Sequence, residues 1–372
     1  MDHTTNLPTF LATSAAPLFY AAADHLAGRP LPEGFALGPG APGALVLCRG
    51  RAELSLPAAL VAQLGGLGPR KASGVLRLAP RALAACFEMA RRDYLEGRMA
   101  DGRLALHNKY DIEGSGSKGL GRLCAHLGAR ADDPGAQARA LGAVRALEAC
   151  TLVRRGKAGG EPLVVEGLLS IEQGPVRLGA IEERGRRHRG GAWRAARIHP
   201  GLFGLAFDRF IRMPAGACEL GPKQFAVWLA AAGQAAARGG ARAQVSQARL
   251  LRDAGLEETA RAGRAREVRA LEGCLRALEA KGLVVAGEAP RGSVALSLPH
   301  LERPVPKAKE GPKPQTPAAK PQTPAAKPQA LAAATSETTN SGGETTNSGG
   351  ETTKRGNRVI RKFKDRRDLG VR

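Results

Sequence analysis

Aromatic side chains make up only 4% of the chain, with two Trp and three Tyr among 372 residues. Readers of single-stranded nucleic acid stack bases on aromatic platforms, so this composition disfavours an RNA or single-strand reader. Long apolar runs are missing too. No stretch approaches the ~18 uninterrupted apolar residues of a spanning helix, and Met1-Asp2-His3 is acidic where a signal peptide is basic. A cytoplasmic bacterial protein, without a membrane partner, is expected. The six cysteines, Cys48, Cys86, Cys124, Cys150, Cys218 and Cys274, lie tens of residues apart with no C-x-x-C pair. Neither a zinc site nor a disulfide framework is suggested; buried reduced thiols are.

Catalytic signatures are equally scarce. No two of the seven histidines lie within two residues of each other, which removes the paired-histidine metal site of a nickase. No carboxylate pair on a strand suggests a polymerase or primase metal site. Gly114-Ser115-Gly116-Ser117-Lys118-Gly119 formally matches G-x-G-x-x-G. It lacks a surrounding βαβ unit and an acidic residue at ribose spacing, and reads as a turn into a helix. Gly156-Lys157 is followed by Ala158 where a Walker A loop needs Ser or Thr. The expectation is a non-enzyme without cofactor or metal.

Positive charge is abundant: the formal net charge is +22 and the isoelectric point about 10.6. Such a field attracts polyanions, with nucleic acid ahead of membrane. Residues 303–372 carry +9 of it and residues 1–302 carry +13. The two parts differ in kind. KPQTPAA stands at 313–319 and 320–326, ETTNSGG at 337–343 and 344–350. These repeats have no apolar positions with which to build a core, so 303–353 is expected to be a disordered low-complexity linker. It tethers a basic tail, 354–372, with nine cations and two acids. That tail reads as a phosphate or partner contact, or as a solvated end.

Within 1–302 one segment repeats. ALEACTLVRRGKAGGEPLVVEGL from Ala146 and ALEAKGLVVAGEAPRGSVALSLP from Ala277 align without a gap at an offset of 131. Each reads as a helix end followed by a hairpin: strands 151–154 and 163–168 in the first copy, 283–286 and 294–298 in the second. Upstream, the second copy offers a helix from Gly221-Pro222, a segment 245–254 and an amphipathic helix 264–281 with Val268, Leu271, Leu275 and Leu278 on one stripe. The first offers helices over 80–99, 119–128 and 135–150, with a short strand 103–107.

Helix, short helix, longer helix and hairpin is the element order of a winged helix-turn-helix. The expected fold class is α+β, predominantly α, with two tandem winged helix-turn-helix domains. They are placed at 71–183 and 198–302, joined by a basic interdomain segment 184–197 and preceded by an extension, 1–70, of unknown role. With the stretch RIHPGLFGLAFDRFIRMP and GPKQFAVWLAA over 197–231, the chain resembles plasmid and phage replication initiators with tandem winged helices. The resemblance implies binding to repeated origin sequences on double-stranded DNA, local opening, and recruitment of a host initiator and replicative helicase. It also implies a homodimer through the first domain and a nucleoid- or plasmid-associated location. A promoter-binding transcriptional regulator and a partition-type DNA protein are the alternatives.

Candidate DNA contacts follow from the charge. Arg261, Arg264, Arg266 and Arg269 crowd the start of the second recognition helix, where an arginine fork suits guanine O6 and N7. Arg291 tips its hairpin. The competing reading pairs these arginines with Glu257, Glu258, Glu267 and Glu272 on a solvated surface. In the first domain Arg154, Arg155 and Lys157 cluster in the wing and suit phosphate contact. Between the domains Arg184, Arg186, Arg187, Arg189 and Arg194 follow Glu183 without a further acid, a pattern suited to a groove.

Overall fold

Alanine and leucine, spaced to cover every side of the helix, dictate the first long element. In the computed structural model a π turn at Leu11–Ala15 runs into helix α1 (Ala16–Leu26), buried throughout from Ala16 to Asp24. The structure describes residues 5–99, 102–106, 120–156, 161–173, 193–204, 210–257, 264–287, 289–290 and 292–301. Strand β1 (Thr5–Pro8) precedes α1; β2 (Ala36–Leu37), β3 (Leu45–Arg49) and β4 (Ala52–Leu56) follow it. Along β4 burial alternates with period two, Ala52, Leu54 and Leu56 inward, as in a strand covered on one face. Then come α2 (Ala58–Gly66), α3 (Pro69–Leu95), β5 (Arg103–Ala105), α4 (Gly121–His126) and α5 (Pro134–Ala149). The remainder is β6 (Thr151–Arg154), β7 (Leu163–Glu166), β8 (Leu169–Gln173), β9 (Trp193–Ile198), α6 (Pro200–Gly204), β10 (Phe210–Met213), α7 (Pro222–Ala237), β11 (Arg242–Ser246), α8 (Gln247–Asp253), α9 (Arg264–Ala280), β12 (Val285–Gly287) and β13 (Ser293–Ser297). The fold is mixed α/β.

Two stretches repeat one topology. In the second, α7, β11, α8, α9, β12 and β13 follow in order, and their antiparallel sheet runs β11-β13-β12, with Ala243 opposite Leu296 and Ala286 opposite the same leucine. In the first, α3, β5, α4, α5, β8 and β9 follow in order, and the sheet runs β5-β9-β8, with Leu104 and Ile171 both opposite Ala196. The hairpin that answers to β12–β13 is therefore β8–β9.

This differs from the pairing that the 131-residue offset implies. Strands β6 and β7, aligned by sequence with the second hairpin, belong to a different sheet, β2-β3-β4-β6-β7. Leu152 lies opposite Leu54 of β4 and Val165 of β7. The extension and this inserted hairpin thus complete one another. Residues 193–197, expected to join two domains, lie in the central strand of the first three-stranded sheet.

Buried ion pairs lock distant parts of the chain together. Asp24 of α1 accepts from Arg77 of α3 at 2.6 Å, and Arg77 also donates to the Gly255 carbonyl at 2.6 Å. Asp253 of α8 receives Arg49 of β3 and the Gln234 amide of α7, the latter at 2.7 Å. Asp93, fully buried, holds Arg122 and the Ala105 N–H. Charges withdrawn from water are tolerated only with such partners. Apolar packing is continuous around them: one core cluster runs from Leu7 to Leu298. Residues 1–307 group into one compact unit, and residues 308–372 lie outside the described residues.

Candidate nucleic-acid interface

Helix α8 starts at Ser246, whose hydroxyl accepts the Arg249 N–H at 3.3 Å, a favourable N-cap. It ends at Gly255, at φ +62°, where a Cβ would meet Tyr20 Cβ at 2.5 Å. Only glycine satisfies both the left-handed backbone and that approach. Helix α9 then lays Leu271, Cys274, Leu275 and Leu278 into the core. Its opposite face exposes Arg266, Arg269, Gly273, Arg276 and Ala280. Steps of three and four residues put these on one helical stripe.

The arginines of that stripe are available. Glu257 pairs with Arg252 at 3.2 Å, and Arg252 also reaches Glu33 at 2.6 Å. Glu267 is buried, and Glu258 lies outside the described residues. Arg269 Nε donates to the Ala265 carbonyl at 3.2 Å within its own helix. Among the described residues, no carboxylate lies within ion-pair distance of Arg266, Arg269 or Arg276. Arg276 escapes a reading that counts cations at the helix start. Its signal is the spacing of seven residues from Arg269.

The other candidates are distributed differently. Arg264 opens α9, with its side chain outside the described residues, as are Arg261 and Arg291 altogether. Arg154 ends β6 with its guanidinium 5.5 Å over the Phe10 ring, and Arg155 pairs with Glu53 at 2.9 Å. Both are engaged at the five-stranded sheet, a different sheet from that of the β8–β9 hairpin. Lys157, Arg184, Arg186, Arg187 and Arg189 lie outside the described residues, and so does the side chain of Arg194 in β9. Gln173 and Trp193 are cross-strand partners, which makes 174–192 the connection between β8 and β9. Helix α5, the counterpart of α9, exposes Arg139 and Arg145.

Burial holds one histidine and several thiols of the fold in uncharged states. Burial, with Arg92 and Arg122 nearby, lowers the His126 pKa to about 4. Burial raises the Cys86 and Cys150 thiols to about 12 and that of Cys124 to about 11. Those thiols stay protonated at neutral pH and are poor nucleophiles. Among the described residues no cluster of His, Cys, Asp and Glu is arranged for a metal, and no helix is long and apolar enough to cross a membrane. The chain matches no family model, no curated protein and no solved structure.

Proposed function

We propose that the protein binds specific sequences in double-stranded DNA through two winged helix-turn-helix units, α3 to β9 and α7 to β13. One observation carries this reading: the second unit combines the sheet order β11-β13-β12 with a third helix whose outward stripe holds Arg266, Arg269 and Arg276. A major groove about 12 Å wide admits one such helix, and each arginine fork on a guanine edge discriminates by ~1–3 kcal/mol. The first unit, poorer in cations on α5, contributes phosphate contacts. The basic segment 174–192, which joins β8 to β9 in sequence, takes the role first given to an interdomain segment.

The biological role we propose is replication initiation at a plasmid or phage origin. Binding to repeats, bending and opening adjacent DNA, and recruiting a host initiator and helicase follow from the resemblance given above, as does self-association through the first unit. The test is whether the gene with its flanking DNA sustains a marker plasmid. Direct repeats in the bound DNA support the reading. An inverted repeat at a promoter, with no autonomous replication, points to a transcriptional regulator.

A further inference from the structure

A cleft of about 340 Å³ opens where α1, α3, α7 and α9 meet. It is far larger than one water and of a size to hold a small organic ligand. Its cations are Arg29, Arg77, Lys223 and Arg266; its acids are Glu257 and Glu267. Asp24 pairs with both Arg29 and Arg77, one carboxylate for two guanidinium groups, and Arg252 pairs with Glu257. Lys223 and Arg266 have no carboxylate in ion-pair distance among the described residues, so the rim is left with an unspent positive charge.

Two further features point to an occupant. Tyr20 lines the cleft and is 3% exposed, yet its hydroxyl has no hydrogen-bond partner among the described residues. A phenol at the wall of the cleft without a protein partner can donate to a ligand acceptor there. Burial raises its pKa against the lowering pull of Arg77 and Arg81, so it stays a neutral donor. Lys223 also sits in the first turn of α7, where backbone N–H groups lack helical partners and the helix end is positive. The remaining wall is apolar, built from proline, alanine and leucine of α7, α9 and the turn at Gly255.

We propose that this cleft binds a small phosphorylated molecule of nucleotide size. Lys223, Arg266 and the first turn of α7 hold the phosphate, the Tyr20 hydroxyl donates to the ligand, and the uncharged body lies against the apolar wall. Arg266 is shared with the arginine stripe, so ligand and duplex DNA oppose each other; this coupling alone rests on the DNA reading.

Calorimetric titration of the full chain with ATP, AMP and inorganic phosphate tests it. ATP and AMP are expected to bind with Kd below about 1 mM, inorganic phosphate at least tenfold more weakly. Lys223→Gln raises the nucleotide Kd at least tenfold and Tyr20→Phe about threefold, in proteins that melt as the wild type does. Arg269→Gln and Arg276→Gln leave it unchanged while weakening duplex binding, which separates this site from the DNA interface. Nucleotide binding indifferent to Lys223→Gln would overturn the proposal, because it would reflect the general positive charge. So would a lack of nucleotide binding with Lys223→Gln weakening duplex binding, which would assign the cleft to a backbone phosphate of DNA.

Discussion

Replacing Asp253 by Ala removes the acceptor that joins β3, α7 and α8. Asp253 is 2% exposed and receives both Arg49 and the Gln234 amide. Breaking a buried pair costs about 3–5 kcal/mol; the 20% exposure of Arg49 lets water solvate part of its charge and favours the lower end, about 3. The Gln234 amide, 5% exposed, adds about 1 kcal/mol as an unsatisfied donor. At ~2.1 cal/mol/K of unfolding entropy per residue, a unit of about 300 residues has roughly 0.6 kcal/mol/K, so about 4 kcal/mol lowers Tm by about 6 °C. Thermal unfolding followed by circular dichroism reads this directly. A double-mutant cycle with Arg49→Met is expected to give a coupling of at least about 1 kcal/mol. A Tm within about 1 °C of wild type, or a cycle without coupling, would refute the idea that this pair holds the N-terminal extension to the second helix set.

Three other outcomes are expected. His126, with a folded pKa of about 4 against 6.5 unfolded, refuses a proton that the unfolded chain accepts. Stability therefore falls as pH drops from about 6.5 to 4, by on the order of 3 kcal/mol from this group, while Glu88, raised by burial, works in the opposite sense. His126→Asn should flatten the urea-midpoint profile over that window; an unaltered profile contradicts the assignment. Gly255→Ala combines a left-handed backbone with a clash at Tyr20 and should cost at least about 2 kcal/mol, whereas Gly239→Ala, at φ +79° in open space, should cost about 1. Equal melts for the two would show that the approach to Tyr20 is not constraining. Deleting 303–372 should leave the melting transition cooperative and its Tm unchanged, because the core cluster ends at Leu298 with Leu301 packed against it; loss of cooperativity would make the tail part of the fold.

The second unit was the more legible in sequence because its signals are local. Gly221-Pro222 marks the start of α7, and the helix expected over 264–281 matches α9 within a residue, with its Leu271–Leu278 stripe buried. The first unit misled for a physical reason. The Leu-Val pair and glycine turn of 151–168 resemble 282–299, but alternation reports that a strand exists and not which strand it joins. Contact with β4, about a hundred residues upstream, decides the pairing of β6. The extension is opaque for the same reason: Arg49 and Asp253 lie 204 residues apart. On the exposed stripe of α9, crowding at the helix start singles out Arg266 and Arg269, whereas Arg276 needs the stripe to be seen whole.

The most direct measurement is the affinity of the full chain, and of the Arg266→Ala/Arg269→Ala/Arg276→Ala variant, for a duplex selected from a random pool, across a range of salt. At ~1–3 kcal/mol for each lost guanine contact, the variant should lose at least about a hundredfold in specific affinity. Stability should change little, since exposed substitutions usually stay within about 0.5 kcal/mol. Nonspecific binding and most of the salt dependence should persist through the other cations. Specific affinity left intact in a folded triple variant would contradict α9 as the element that reads DNA.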